Sequence, residues 1–179
     1  MWSSMRRLML LRHAKSDWSA AGMPDHDRPL NRRGQETATK IGAYMVRHGL
    51  VPERVLCSTA RRARETWEEL AGEFKEHPPT IFEDRLYNAA PDAILNLIRD
   101  TKTAVKSLLL IGHNPGLQDL AAVLIASGDL DHRERLREKL PTAGLVIIDF
   151  ALDDWAKVHP HAGRLERFVA PRWLETATD

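Results

Sequence analysis

Cysteine is nearly absent, with Cys57 alone among 179 residues. One thiol excludes an internal disulfide and any cysteine cage around zinc, and it suits a reducing compartment. An excess of either charge is also missing, since 26 Lys and Arg against 25 Asp and Glu leave a formal +1. Proteins that coat nucleic acid usually carry a strong basic surplus, so that class is disfavoured. No stretch approaches the roughly 20 apolar residues of a membrane span. The early run Leu8-Met9-Leu10-Leu11 is too short for a signal-peptide core and leads straight into Arg12-His13. The expected location is therefore the cytoplasm, with no membrane partner. Internal repeats and low-complexity tracts are missing as well. What is present is ordinary: 43% hydrophobic and 28% charged residues, the profile of a soluble globular chain, at a length that suits one domain over 1–179. Eight histidines call for an explanation.

Short strand-like runs alternate with helical ones. Leu8 to Leu11, Arg54 to Cys57, Thr80 to Phe82 and Ser107 to Ile111 read as strands, the last being the clearest buried one. Between and after them, Arg32 to His48, Ala60 to Phe74, Asp92 to Asp100 and Leu117 to Ser127 carry helical spacing. The charged stretch Asp129 to Lys139 is a solvated helix or a lid. Beyond it the period changes, and Ala143 to Leu152 and Arg164 to Ala170 alternate like two antiparallel strands. The order argues for a three-layer α/β/α sandwich around a mainly parallel sheet.

Active sites of such sheets lie at the carboxyl ends of the strands, near a topological switch. That rule selects Arg12-His13, the Ser58 to Arg62 cluster and Gly112-His113-Asn114, each a polar group where an apolar strand ends. A histidine near its ordinary pKa of about 6.5 serves as nucleophile or proton shuttle at neutral pH. Arginine presents a planar fork that matches phosphate oxygens. Two histidines with arginines, and no carboxylate cage, favour phosphoryl chemistry over metal chemistry. A histidine attacking phosphorus would form a covalent intermediate, with arginines stabilising the equatorial oxygens.

The segment Leu10-Leu11-Arg12-His13-Ala14-Lys15-Ser16-Asp17-Trp18 resembles the Arg-His-Gly-Glu-Ser-x-Trp signature of the histidine phosphatase superfamily, the phosphoglycerate mutase-like proteins. Leu30-Asn31-Arg32-Arg33-Gly34 matches the Leu-x-x-x-Gly that opens the family's first long helix. Cys57-Ser58-Thr59-Ala60-Arg61-Arg62-Ala63-Arg64-Glu65-Thr66 is similar to its Ser-x-x-x-Arg-Ala-x-x-Thr element, and Ile111-Gly112-His113 to its Gly-His motif. These matches stand in family order. The resemblance implies that His13 is the phosphorylated nucleophile, that Arg12 and Arg62 clamp the phosphoryl oxygens, and that His113 adds a hydrogen bond to them. Ser16 and Trp18 would lie at the substrate pocket, and no metal or cofactor is implied. Ala63 and Thr66 single out Arg62 over Arg61; Arg61 and Arg64 are then expected on the helix surface.

Two departures bear on substrate. Ala14 replaces the signature glycine. Asn88, in Arg85-Leu86-Tyr87-Asn88-Ala89, stands where many members carry a glutamate that protonates the leaving oxygen. Asparagine delivers no proton, and an alkoxide leaving group needs a general acid typically worth about 10²- to 10⁴-fold in rate. A leaving imidazole needs less, because its N–P bond weakens once the ring is protonated. The small size, the missing acid and the Leu-Leu-Arg-His-Ala-Lys-Ser start resemble the SixA-type phosphohistidine phosphatase branch. The expected substrate is phosphohistidine on a protein partner, such as a histidine-phosphotransfer domain. The alternatives are a small phosphoester with Asp17, His26 or Asp84 as substitute acid, or a non-catalytic phosphate-binding module of the same fold. A nucleic-acid binder using the basic helix from Arg61 fits poorly with the net charge. The other conspicuous residues have plainer readings: Cys57 as a buried small hydrophobe, Trp67, Trp155 and Trp173 as packing, and His159-Pro160-His161 as an exposed turn.

Overall fold

Apolar runs without polar alternation must be covered on both faces. In the computed structural model, which describes residues 4–175, the strands are β1 (Arg6–Arg12), β2 (Arg54–Ser58), β3 (Thr80–Glu83), β4 (Ser107–Gly112), β5 (Ile125–Gly128), β6 (Leu145–Phe150) and β7 (Gly163–Val169). They form one seven-stranded sheet in the order β3-β2-β4-β1-β6-β7-β5. Only β6 runs against the others, so the sheet is mixed but mainly parallel, as the alternating pattern implied.

Residue parity along the central strands separates two cores. Leu8, Leu10, Leu108, Leu110, Val146 and Ile148 point to one face. Met9, Leu11, Leu109, Ile111, Leu145 and Ile147 point to the other. Helices α1 (Arg32–Arg47) and α2 (Arg61–Ala71) cover the second face through Ala38, Ile41, Met45, Trp67 and Leu70. Helices α3 (Pro91–Arg99) and α4 (Gly116–Leu124) cover the first through Ile94, Ile98, Leu117 and Leu120. Each such buried Leu or Ile contributes about 1.5–3 kcal/mol. A charged helix, α5 (Leu130–Glu138), buries Leu136 alone of its residues and is otherwise solvated. A short α6 (Pro171–Glu175) closes the described chain. Trp155 is fully buried with its indole N–H on the Val105 carbonyl, Trp67 packs edge-on against Phe74, and Trp173 meets Phe168 edge-on. Among the described residues no helix is long and apolar enough to cross a membrane.

One element departs from the helical reading of Leu117 to Ser127. The helix stops at Leu124, and Ile125–Gly128 adds an edge strand parallel to β7. Pairing with β7 outweighs the helical spacing, and Gly128 makes the end possible. Its φ is 123°, and a Cβ there would stand 2.6 Å from the Leu165 carbonyl oxygen.

The topology sets the site. β1 and β4 are parallel neighbours, yet the chain leaves β1 for α1 on one face and leaves β4 for α4 on the other. A crevice opens where adjacent strands send their helices to opposite sides. Arg12 pairs with Gly112 at the strand ends, so the next residues, His13 and His113, emerge side by side.

Candidate active site

The rings of His13 and His113 lie 5.2 Å apart, both residues buried. His13 Nδ1 is 2.7 Å from the Ala14 carbonyl oxygen. A carbonyl only accepts, so Nδ1 carries the proton and Nε2 presents its lone pair. Arg62 Nε donates toward that lone pair at 3.3 Å. Burial, and then the Arg62 and Arg12 charges, hold His13 down at about 4, against the hydrogen bond to Ala14. Desolvation is the largest of these causes.

Helix α2 organises this arrangement by one turn of spacing. Arg62 and Thr66 share a face; Thr66 Oγ1 donates to the Arg62 carbonyl and accepts the Ala14 N–H at 2.9 Å. The helix that delivers the guanidinium thus also pins the peptide after His13. The other Arg62 nitrogens are held by Asp25, Nη1 on its carbonyl at 2.8 Å and Nη2 on its carboxylate at 3.1 Å. The Tyr87 hydroxyl donates to the same carboxylate oxygen, and its ring stands edge-on to His113 at 5.6 Å. Those hydrogen bonds, Tyr87 first, keep the Asp25 carboxyl below its ordinary range.

His113 Nε2 is 2.7 Å from Ser58 Oγ, while its Nδ1 is buried without a partner. Ser58 Oγ already accepts from the Ala60 N–H, so its own proton is available for Nε2, which leaves Nδ1–H as an unsatisfied donor. Buried donors without a partner are uncommon, and a ligand oxygen is one way to satisfy them. Burial, then the neighbouring His13 and Arg62, push His113 down to about 3. Arg12 reaches the Leu140 carbonyl through Nη1 at 3.0 Å, and its Nε is likewise buried without a partner.

These groups open into a cleft of about 490 Å³ lined by Arg12, His13, Lys15, Ser16, Trp18, Arg62, Asn88, His113, Asn114, Lys139, Pro141 and Thr142. All six site residues named from the sequence meet here. Ser16 is buried and Trp18 exposed, its indole covered by the Arg28 guanidinium at 4.2 Å. Asn88, at the position of the missing acid, adopts a left-handed backbone (φ 54°) that asparagine tolerates better than most residues. Among the described residues no Asp or Glu lines the cleft, the Asp25 carboxylate standing behind Arg62.

The three candidate substitute acids lie elsewhere. Asp17 accepts the Ser19 N–H, His26 meets Thr59 Oγ1, and Asp84 accepts from the same hydroxyl at 2.6 Å. Arg61 pairs with Glu65, and Arg64 donates to the Thr59 carbonyl, both away from the cleft. Cys57 is fully buried, and burial pushes its thiol up. His159 and His161 are exposed turn residues. Among the described residues no group of three or more His, Cys, Asp or Glu is placed to hold a metal ion.

Sequence reasoning passed over Lys15, Asp25, Tyr87, Lys139 and Thr142. Lys15 lay in plain view inside the first motif. Asp25 sits in a turn-rich loop whose His26 drew the attention, and Lys139 ends a charged run that looked wholly solvated. Only the folded chain brings them beside His13.

The model of the histidine phosphatase superfamily (branch 1) matches residues 8–94. An uncharacterized protein of Mycobacterium tuberculosis, Rv1276c, is 38% identical over 90% of this chain and 100% of its own. Two solved structures carry the name putative phosphohistidine phosphatase SixA. The one from Agrobacterium tumefaciens is 33% identical with a TM-score of 0.79, covering 93% of this chain and 98% of that one. The one from Nakamurella multipartitia is 26% identical with a TM-score of 0.81, covering 93% and 96%. The chain belongs to the histidine phosphatase superfamily, in its SixA-type branch, and is a phosphatase.

Proposed function

We propose that this phosphatase hydrolyses phosphohistidine on a protein partner, without a metal, by way of a phosphoryl group carried on Nε2 of His13. One observation carries the reading: Asn88 stands where an acid would be needed for an alkoxide leaving group, and the carboxyl that does reach the site, Asp25, is held ionised by Tyr87 and Arg62. The Nε2 lone pair attacks phosphorus, a new N–P bond forms as the substrate N–P bond breaks, and the departing imidazole takes its proton from water. Arg12 and Arg62 neutralise the equatorial oxygens, and the free Nδ1–H of His113 donates to one of them. Phosphorylated on Nε2 with Nδ1–H retained, the His13 ring is cationic, and the Ala14 carbonyl stabilises that charge. A protonated phosphoimidazole is itself labile. Water then forms the P–O bond, phosphate leaves, and Nε2 regains its lone pair. Ser16 and Trp18 line the substrate side.

The test is a side-by-side rate measurement on a phosphohistidine protein and on a simple alkyl phosphate. Phosphohistidine should turn over faster, with an acid-labile phosphoenzyme that His13→Ala abolishes and activity that EDTA leaves unchanged. Faster turnover of the alkyl phosphate would overturn the substrate assignment. Loss of activity to the chelator would overturn the metal-free mechanism.

A further inference from the structure

Beside the His13 cleft lies a second cavity of about 210 Å³, bordered by Lys15, Arg33, Thr37, Thr142, Pro171 and Arg172 among others. Lys15, Pro141 and Thr142 line both spaces, so the two share a wall. Among the described residues no Asp or Glu faces either one. Together they gather Arg12, Lys15, Arg33, Arg62, Lys139 and Arg172 in a protein whose net charge is only +1.

The position of Arg33 works against the fold. It sits in the first turn of α1, where the positive end of the helix dipole disfavours cations and where no acidic residue offsets it. Arg32 next to it is paired with Glu36. Arg33, Lys15, Lys139 and Arg172 make no ion pair among the described residues. Nor is their proximity incidental. The Lys15 carbonyl accepts the Asn31 N–H, and Gly34 leaves the space that a Cβ would take from the Lys15 backbone. The segment carrying His13 is thereby clamped to the start of α1, which sets Arg33 beside Lys15.

We propose that the second cavity is an anion subsite that takes an acidic side chain flanking the phosphohistidine of the protein substrate. The proposal rests on the phosphohistidine reading and adds a selection rule to it. Guanidinium forks match a carboxylate bidentately. A space of about 210 Å³ suits one side chain better than a drug-sized ligand, which needs roughly 300–1,000 Å³. The phosphoryl group enters the His13 cleft while the neighbouring carboxylate reaches across the shared wall to Arg33 and Arg172.

The test uses phosphohistidine peptides in matched pairs, in which an Asp or Glu moved along the flanking positions is replaced by Asn or Gln. The full chain should prefer the best acidic peptide by about three- to tenfold in kcat/KM, through KM, and rising salt should erase the preference. In an Arg33→Ala/Arg172→Ala double variant the preference should vanish while turnover of free phosphohistidine stays unchanged. Equal rates on the acidic and neutral peptides would overturn the subsite, as would a preference that survives in the double variant. Failure to hydrolyse free phosphohistidine as well as every peptide would instead overturn the underlying substrate assignment.

Discussion

Acidification from pH 7 to pH 5 interrogates the two buried imidazoles directly. Burial holds His13 at about 4 and His113 at about 3 in the fold, against about 6.5 for an unperturbed histidine. In this window the unfolded chain binds protons that the folded chain refuses. Stability therefore falls as pH falls, being fully present only above about pH 6.5. At pH 5 an unfolded histidine is about 97% protonated, whereas His13 is about one-tenth protonated and His113 less. Each imidazole then costs about 2 kcal/mol relative to pH 7, or roughly 4 kcal/mol for the pair. Against a typical 5–15 kcal/mol of total stability that loss is large, and it corresponds to a drop in Tm of about 10 °C. Carboxyls held low in the fold, such as Asp25 and Asp17, lose their contribution at lower pH, below their ordinary value of 3.8. Urea unfolding at the two pH values gives the total, and the same pair of measurements on His113→Asn should show about half of it. Imidazole proton resonances give the midpoints themselves. A His13 midpoint near 6.5, or a stability that is flat between pH 7 and pH 5, would refute the reasoning. The acid limb of kcat/KM follows from the same numbers. Loss of the His13 lone pair should appear near pH 4 rather than near 6.5.

Other perturbations test other links. Arg62→Ala should lower turnover at least about a hundredfold with an unchanged circular dichroism spectrum, since one oxyanion donor is typically worth 10²–10³. Gly34→Ala should destabilise the chain by about 2 kcal/mol in urea unfolding and reduce activity, because the new Cβ meets the Lys15 backbone rather than a side chain that can yield. Asp149→Ala breaks a bidentate pair between buried Asp149 and half-buried Arg7, two bonds of 2.8 Å, at a distance from the cleft. It should cost about 2 kcal/mol in the same assay and leave kcat unchanged. Native Cys57 should resist iodoacetamide until the chain unfolds, as its thiol is buried and pushed up.

Much of the fold could be read from local pattern. The runs at β1 and β4 are buried on both faces, so their apolar continuity is unmistakable, and the stripes of α1 and α2 follow from one-sided burial. The edge was less legible. Ile125–Gly128 lies within helical spacing, and its strand exists because β7 offers it hydrogen-bond partners. Of the site, the residues carried in contiguous motifs were readable: Arg12, His13, Ser16, Trp18, Arg62 and His113. Asp25 and Tyr87, which hold Arg62, carry no local signal, since each looks like an ordinary loop residue.

The sequence by itself determined the family and most of the strand–helix order, and it singled out His13 as the proposed nucleophile and Asn88 as the departure from the family's acid, because each depends on residue type within a short segment. It also marked Cys57 as a buried small hydrophobe, and buried is how the fold holds it. The tertiary structure decided what none of those segments contains. It brought Lys139 and Lys15 to one cleft, kept Asp17, His26 and Asp84 out of it, and buried two imidazoles deeply enough to stay neutral. Desolvation and proximity are properties of a packed interior, set by which strand ends lie side by side, and no window of neighbouring residues encodes them.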